Sequence, residues 1–144
     1  MERNRSSTGL YLLTTYCLVF ILLIWSAEGI AQNKPWPVPK EYMAMKSASP
    51  ASSNEVNDGK TLYMANCSPC HGVKGKGDGA AAASLASKPA DHTSAIMLNE
   101  TDGSIFYKIT EGRAPMPPYK NAFTEKQRWE LVAYIRTLCK TTKK

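Results

Sequence analysis

The 144-residue sequence is poor in metal ligands and in long apolar runs. It holds two histidines and four cysteines. Its one CxxC pair has no second CxxC or Cys/His pair beside it, so a four-ligand zinc site cannot be completed. No sustained period-two alternation of apolar and polar residues occurs, so nothing predicts a sheet. Without β-α-β flanks, the pair also lacks the setting of a thioredoxin-type redox motif. Four glycines cluster after it, but no strand signal precedes them and no Gly-Lys-Ser/Thr follows, which excludes a phosphate-binding loop. There is no internal repeat. The uncharged run Leu10 to Trp25 has 16 residues, short of the about 20 that a membrane span requires.

That run nevertheless has a role. Arg3 and Arg5 precede it and Ser26-Ala27-Glu28-Gly29-Ile30-Ala31 follows it. A basic start, an apolar stretch and a small-residue end are the layout of a secretory signal, with cleavage expected after Ala31. The rival reading is an uncleaved membrane anchor over the same residues 1–31. In either case the rest of the chain is exported, because the basic end stays cytoplasmic. No lipobox precedes Cys17. The expected location is the periplasm, free or held at the inner membrane.

Residues 32–144 carry 16 Lys and Arg against 10 Asp and Glu, so the net charge stays +6. A basic surface suits nucleic acid, anionic lipid or an acidic protein partner, and export argues against nucleic acid. Residues 32–53 hold Pro35, Pro37, Pro39 and Pro50 among serines, which predicts an extended linker. Trp36, Tyr42, Met43 and Met45 fit an arm docked on the domain equally well. The domain proper is expected over 54–144. Ser52 and Glu55 have capping-box spacing, and Val56, Gly59 and Tyr63 share one helical face. Gly59 costs helix stability, which points to close contact with another helix. Thr101 to Ser104 predict the cap of a helix carrying Ile105, Phe106 and Ile109, stopped at Gly112. Thr124-Glu125-Lys126-Gln127 is a second capping pattern, and Leu131, Tyr134, Ile135 and Leu138 give a helix over roughly Glu125 to Cys139. The fold class is all-α.

The chemistry centres on Cys67-Ser68-Pro69-Cys70-His71. Thiols at i and i+3 lie on one side of a helical turn, where both can reach the vinyl groups of one porphyrin. The next residue brings an imidazole to the iron. CxxCH is the attachment signature of haem c, which makes Cys67 and Cys70 the covalent anchors and His71 the proximal ligand. The glycines that follow, Gly72, Gly75, Gly77 and Gly79, allow backbone to approach a flat ligand. His92 lies in a polar loop and is a weak ligand candidate. For the distal position, Met116 stands in Arg113-Ala114-Pro115-Met116-Pro117-Pro118, where prolines stiffen the loop without needing donors. Met97 and Met64 compete with it, as does an open site. Cys139 ends a helix and reads as an idle buried thiol.

These residues resemble the class I monohaem cytochromes c of bacteria. The likeness covers about residues 54–139: Gly59 and Tyr63, Cys67 to Gly72, the run Gly75-Lys76-Gly77-Asp78-Gly79, Gly112 with Met116-Pro117, and the Trp129/Tyr134 helix. The resemblance implies a helical shell around one covalent haem, crossing of the first and last helices near Gly59, Tyr63 and Tyr134, and His71/Met116 ligation of iron. Relatives often have a proline after the Gly-Asp-Gly run, and a proline carbonyl near that point accepts the His Nδ1–H. This chain has Ala80 there, so the acceptor for His71 stays open. About 85 residues is a marginal size for a hydrophobic core, so the haem is expected at its centre. The implied function is one-electron transfer between respiratory redox proteins with acidic docking surfaces, without enzyme activity. The alternatives are a fixed haem subunit of a larger oxidoreductase, or a haem enzyme or gas binder with an open sixth position.

Overall fold

The structure is a computed structural model that describes residues 35–47 and 50–140. The expected signal or anchor, residues 1–31, lies outside the described residues. Those from Trp36 onward cluster into one unit made of helices. In chain order they are α1 (Lys40–Met43), α2 (Ser53–Asn66), α3 (Ser68–His71), α4 (Ala95–Asn99), α5 (Asp102–Glu111) and α6 (Glu125–Lys140), with a 3-10 turn over Ala82–Ser84. No strand occurs among the described residues, as the missing alternation requires, and the all-α expectation holds.

Local chemistry sets the helix starts. The Ser52 hydroxyl accepts the Glu55 backbone N–H at 3.3 Å, and the Ser52 N–H donates back to the Glu55 carboxylate at 2.8 Å. The same reciprocal pair forms at α6, where the Thr124 N–H donates to Gln127 Oε1 and the Gln127 N–H to Thr124 Oγ1. Each closes two donors that would otherwise face water unpaired. Thr101 caps α5, and Gly112 ends it with φ of 61°, a conformation that costs glycine nothing.

The core joins α2, α5 and α6. Tyr63 and Leu131 are fully buried, with Phe106, Ile109, Val132 and Ile135 around them. Burying a side chain such as Leu131 contributes roughly 1.5–3 kcal/mol. Helices α2 and α6 cross at Gly59, where a Cβ would stand 2.0 Å from the Glu130 carbonyl oxygen. Only the missing side chain lets the two backbones meet there. One turn on, the Tyr63 and Tyr134 rings lie 5.1 Å apart, a separation at which tilted aromatic pairs attract.

Two short helices, α1 and α4, have no periodic signal and come from tertiary context. Helix α4 is held by Arg136 of α6, whose Nη1 donates to the Met97 carbonyl at 2.9 Å and whose Nη2 donates to the Glu100 carbonyl. Its Nε donates to Asp102 at 2.6 Å. Helix α1 lies on α5: the Tyr42 ring is 4.8 Å from Tyr107, and its carbonyl sits where a Cβ on Gly103 would be. Ahead of it, the Trp36 ring takes the Arg113 guanidinium at 4.5 Å. Residues 36–47 therefore pack on α5 and on the chain that follows it.

Candidate functional site

Cys67 is at once the C-cap of α2 and the N-cap of α3; its N–H donates to Tyr63 O, and its own carbonyl accepts from Cys70 and His71. This continuous turn puts Cys67, Cys70 and His71 together, all half-buried. Neither thiol is in a disulfide. Burial, and then the neighbouring Cys70, pushes the Cys67 thiol up to about 12. Burial of this kind works against the lowered thiol pKa that redox dithiols and reactive cysteines need. Among the described residues no group of three or more His, Cys, Asp or Glu is placed to hold a metal ion.

The glycine run folds back on the same turn. The amides of Gly77, Gly79 and Ala81 donate to the carbonyls of His71, Cys70 and Pro69. These glycines therefore approach the backbone of the motif, rather than only the flat ligand expected from sequence. Their hydrogen bonds fix the turn from behind.

The His71 Nδ1 lies 3.0 Å from the carbonyl oxygen of Ala90. A carbonyl can only accept, so Nδ1 carries the proton and Nε2 keeps its lone pair. Burial lowers the His71 pKa, with the Ala90 bond opposing, and so favours the neutral, ligating form. The acceptor left open by Ala80 is thus Ala90, directly after Pro89. Such a partner orients a ligating imidazole and raises its basicity.

His92 was expected in a polar loop. It is instead buried, with its ring stacked on His71 at 4.3 Å between centroids and 17° between planes. Asp91 takes the polar work of the loop by accepting from the Thr93 N–H and hydroxyl. Burial, then the neighbouring His71, holds His92 down at about 3, with Asp91 opposing. Burial thus favours the neutral form of its ring. No periodic or spacing signal marks this residue, because its role arises from a loop closing on a neighbour 21 positions away.

Met116 is half-buried against the core, in a loop closed by paired bonds between the Arg113 and Met116 backbones at 3.0 and 2.9 Å. Gly112 lets α5 end against this loop, since a Cβ there would meet the Pro117 carbonyl carbon at 2.5 Å. Tyr119, three residues on, reaches the Asn66 carbonyl at 3.2 Å. Burial, and then Cys67 and Cys70, pushes its phenol up. The Met116 loop is therefore anchored beside the cysteine turn. The rivals sit elsewhere: Met97 is buried in the core on α4, and Met64 is exposed on α2.

The donor set fits haem c. Two unpaired thiols on one turn, a neutral imidazole with a free Nε2 lone pair and a thioether in a braced loop are the donors it needs. Arg128 adds a further observation. It is buried over the Phe106 ring, and its Nε and Nη1 have no partner among the described residues.

A family model described as Cytochrome c matches residues 56–139. No curated protein matches the chain. Among solved structures, the reducing HAO-like protein complex of Kuenenia stuttgartiensis is similar with 24% identity and a TM-score of 0.55, over 74% of this chain and 51% of that one. The chain therefore spans about half of that relative's length. Cytochrome CL from the marine methylotroph Methylophaga aminisulfidivorans is similar with 22% identity and a TM-score of 0.51, over 77% and 71%. The KustC0563 c-type cytochrome has 29% identity and a TM-score of 0.49 over 56% and 96%. The first two likenesses concern the fold.

Proposed function

The chain belongs to the cytochrome c family, whose cofactor is covalent haem c and whose chemistry is haem-based electron transfer, and we propose from that premise that His71 and Met116 are its two axial ligands. Cys67 and Cys70 form the thioether links. When bound, the haem supplies a one-electron iron couple. The observation that carries the reading is the His71 ring, held by the Ala90 carbonyl through Nδ1 so that Nε2 is presented as a lone-pair donor.

The protein's share of the work is positional. The cysteine turn fixes where the porphyrin attaches, and the glycine-loop amides keep that turn from shifting. The Ala90 carbonyl makes His71 a stronger donor. The Arg113–Met116 pairing and the Tyr119 bond hold a weak thioether donor in place, which raises the reduction potential relative to stronger ligands. With His71 and Met116 both holding the iron, the haem would offer no site to oxygen or peroxide, which supports an electron carrier over a haem enzyme. The chain acts after export, between redox proteins whose acidic surfaces meet its basic one.

The test is a reduced-minus-oxidised spectrum with carbon monoxide, alongside the intact mass. One haem added to the processed chain, resistance to acid acetone and no carbon monoxide shift support the reading. Extractable haem overturns the covalent link. Ready carbon monoxide binding overturns Met116 ligation and favours the open-site alternative.

A further inference from the structure

We propose that His92 is a positioning residue for the axial imidazole: its flat, buried ring sets the plane in which His71 meets the iron. The proposal rests on the reading of His71 as a ligand.

An imidazole bonded to iron through one nitrogen retains a soft motion, rotation about the iron–nitrogen direction. The bond from Nδ1 to the Ala90 carbonyl at 3.0 Å restrains the far edge of the ring, and one hydrogen bond tolerates a broad range of angles at a carbonyl. A second ring lying parallel does not. At 4.3 Å between centroids and 17° between planes, turning His71 about its long axis drives an edge into the face of His92.

For this to matter, His92 must itself be immobile. It is fastened from three sides. Its backbone N–H donates to the Gly75 carbonyl at 2.6 Å, which ties it to the glycine loop. Its carbonyl accepts the Cys139 thiol at 2.9 Å, which ties it to the end of α6. Its Nδ1 lies 3.4 Å from the Tyr63 hydroxyl on α2, and the Tyr63 ring meets its edge at 5.8 Å. The Tyr63 proton goes to the Gly72 carbonyl at 3.0 Å, so the phenol oxygen is left to accept from the His92 Nδ1–H. Gly75 leaves no slack, since a Cβ there would be 3.1 Å from the His92 Cβ.

The plane of an axial imidazole selects which iron d orbital carries the unpaired electron of the ferric state. The orientation of His71 is therefore readable directly, without any electron-transfer assay. In the holoprotein, the electron paramagnetic resonance g values and the spread of the haem methyl proton shifts both report it. His92→Leu removes the flat face and keeps an apolar side chain in the buried site; His92→Phe restores a flat ring without the polar bond to Tyr63. The expected result is a displaced g set and a reordered methyl pattern for His92→Leu, with His92→Phe returning close to wild type. If His92→Leu yields no holoprotein, His92→Val makes the same comparison. Wild-type g values and methyl shifts in the ring-free variant, with histidine ligation intact, overturn the positioning role. A wild-type ferric spectrum without histidine ligation overturns the assignment of His71 itself, so the two failures are distinct.

Discussion

The Tyr119 phenol donates to the Asn66 backbone carbonyl at 3.2 Å, across 53 positions of sequence. Asn66 ends α2 and the next residue is Cys67; Tyr119 stands three residues after Met116. One hydrogen bond thus joins the chain carrying the proposed distal ligand to the turn carrying the covalent anchors. Tyr119→Phe will remove it while keeping the ring that stacks on Phe123 at 4.9 Å. The expected cost is about 0.5–1.5 kcal/mol. The methionine–iron charge-transfer band of the oxidised protein should disappear at a lower temperature than in wild type, followed by absorbance during heating. An unchanged melting of that band would detach Tyr119 from the ligand loop.

Met116→Ala should abolish the same band, lower the reduction potential and let carbon monoxide bind the reduced protein. Met97→Leu and Met64→Leu should keep the band, since one side chain fills the core on α4 and the other faces solvent. Potentiometry with and without carbon monoxide separates the three variants. Retention of the band in Met116→Ala would transfer the assignment to Met97.

Gly59→Ala should destabilise the holoprotein by about 1–3 kcal/mol, the usual range for overpacking, or more. The added carbon has to displace backbone, the Glu130 carbonyl at 2.0 Å, and no flexible side chain can yield in its place. Guanidinium unfolding followed by haem absorbance will measure the shift in midpoint. A midpoint equal to wild type would mean that α2 and α6 do not meet there.

Acid should weaken the start of α2. The Ser52 backbone bond first, and its side-chain bond second, hold the Glu55 carboxyl below its ordinary value. A carboxyl depressed in the folded state stabilises the fold above its unfolded pKa, and that contribution is lost as pH falls through the folded value. Glu55→Gln should therefore flatten the acid side of the stability–pH curve, below about pH 4.3, and leave the neutral limb parallel to wild type. Thermal midpoints between pH 3 and 7 provide the comparison; identical acid slopes would contradict the capping role.

Electron exchange with an acidic redox partner should slow as salt rises, because Lys74 and Lys76 are exposed on the glycine loop next to the cysteine turn. Lys120 should contribute less than either. Its ammonium lies 3.6 Å from the Glu111 carboxylate, which offsets its charge toward a partner. Stopped-flow rates for Lys74→Gln, Lys76→Gln and Lys120→Gln across ionic strength will rank them. A flat salt dependence in the wild type would leave these lysines as a solvated face.

Much of this protein is local, and so it is legible along the chain. Ser52 with Glu55, Thr124 with Gln127, and Thr101 before Asp102 declare their helices because a cap needs only residues three positions apart. Leu131, Tyr134, Ile135 and Leu138 mark the buried face of α6 by period alone. The CxxCH spacing names its cofactor because both thiols and the imidazole belong to one turn. Even Gly59 was legible as a contact, since a glycine inside a helical face is otherwise a cost.

What the tertiary structure decided lies between elements. Helices α1 and α4 are too short to nucleate alone; they exist because Tyr42 packs on Tyr107 and because Arg136 takes the carbonyls of Met97 and Glu100. The acceptor for His71 is Ala90 because the loop after the glycine run returns over the cysteine turn, and a backbone carbonyl leaves no trace in residue type. His92 reads as polar in a polar stretch, yet burial against His71 and Tyr63 makes it a neutral wall. Sequence specifies which donors the chain carries; only packing across 19 or more positions determines which of them face one another.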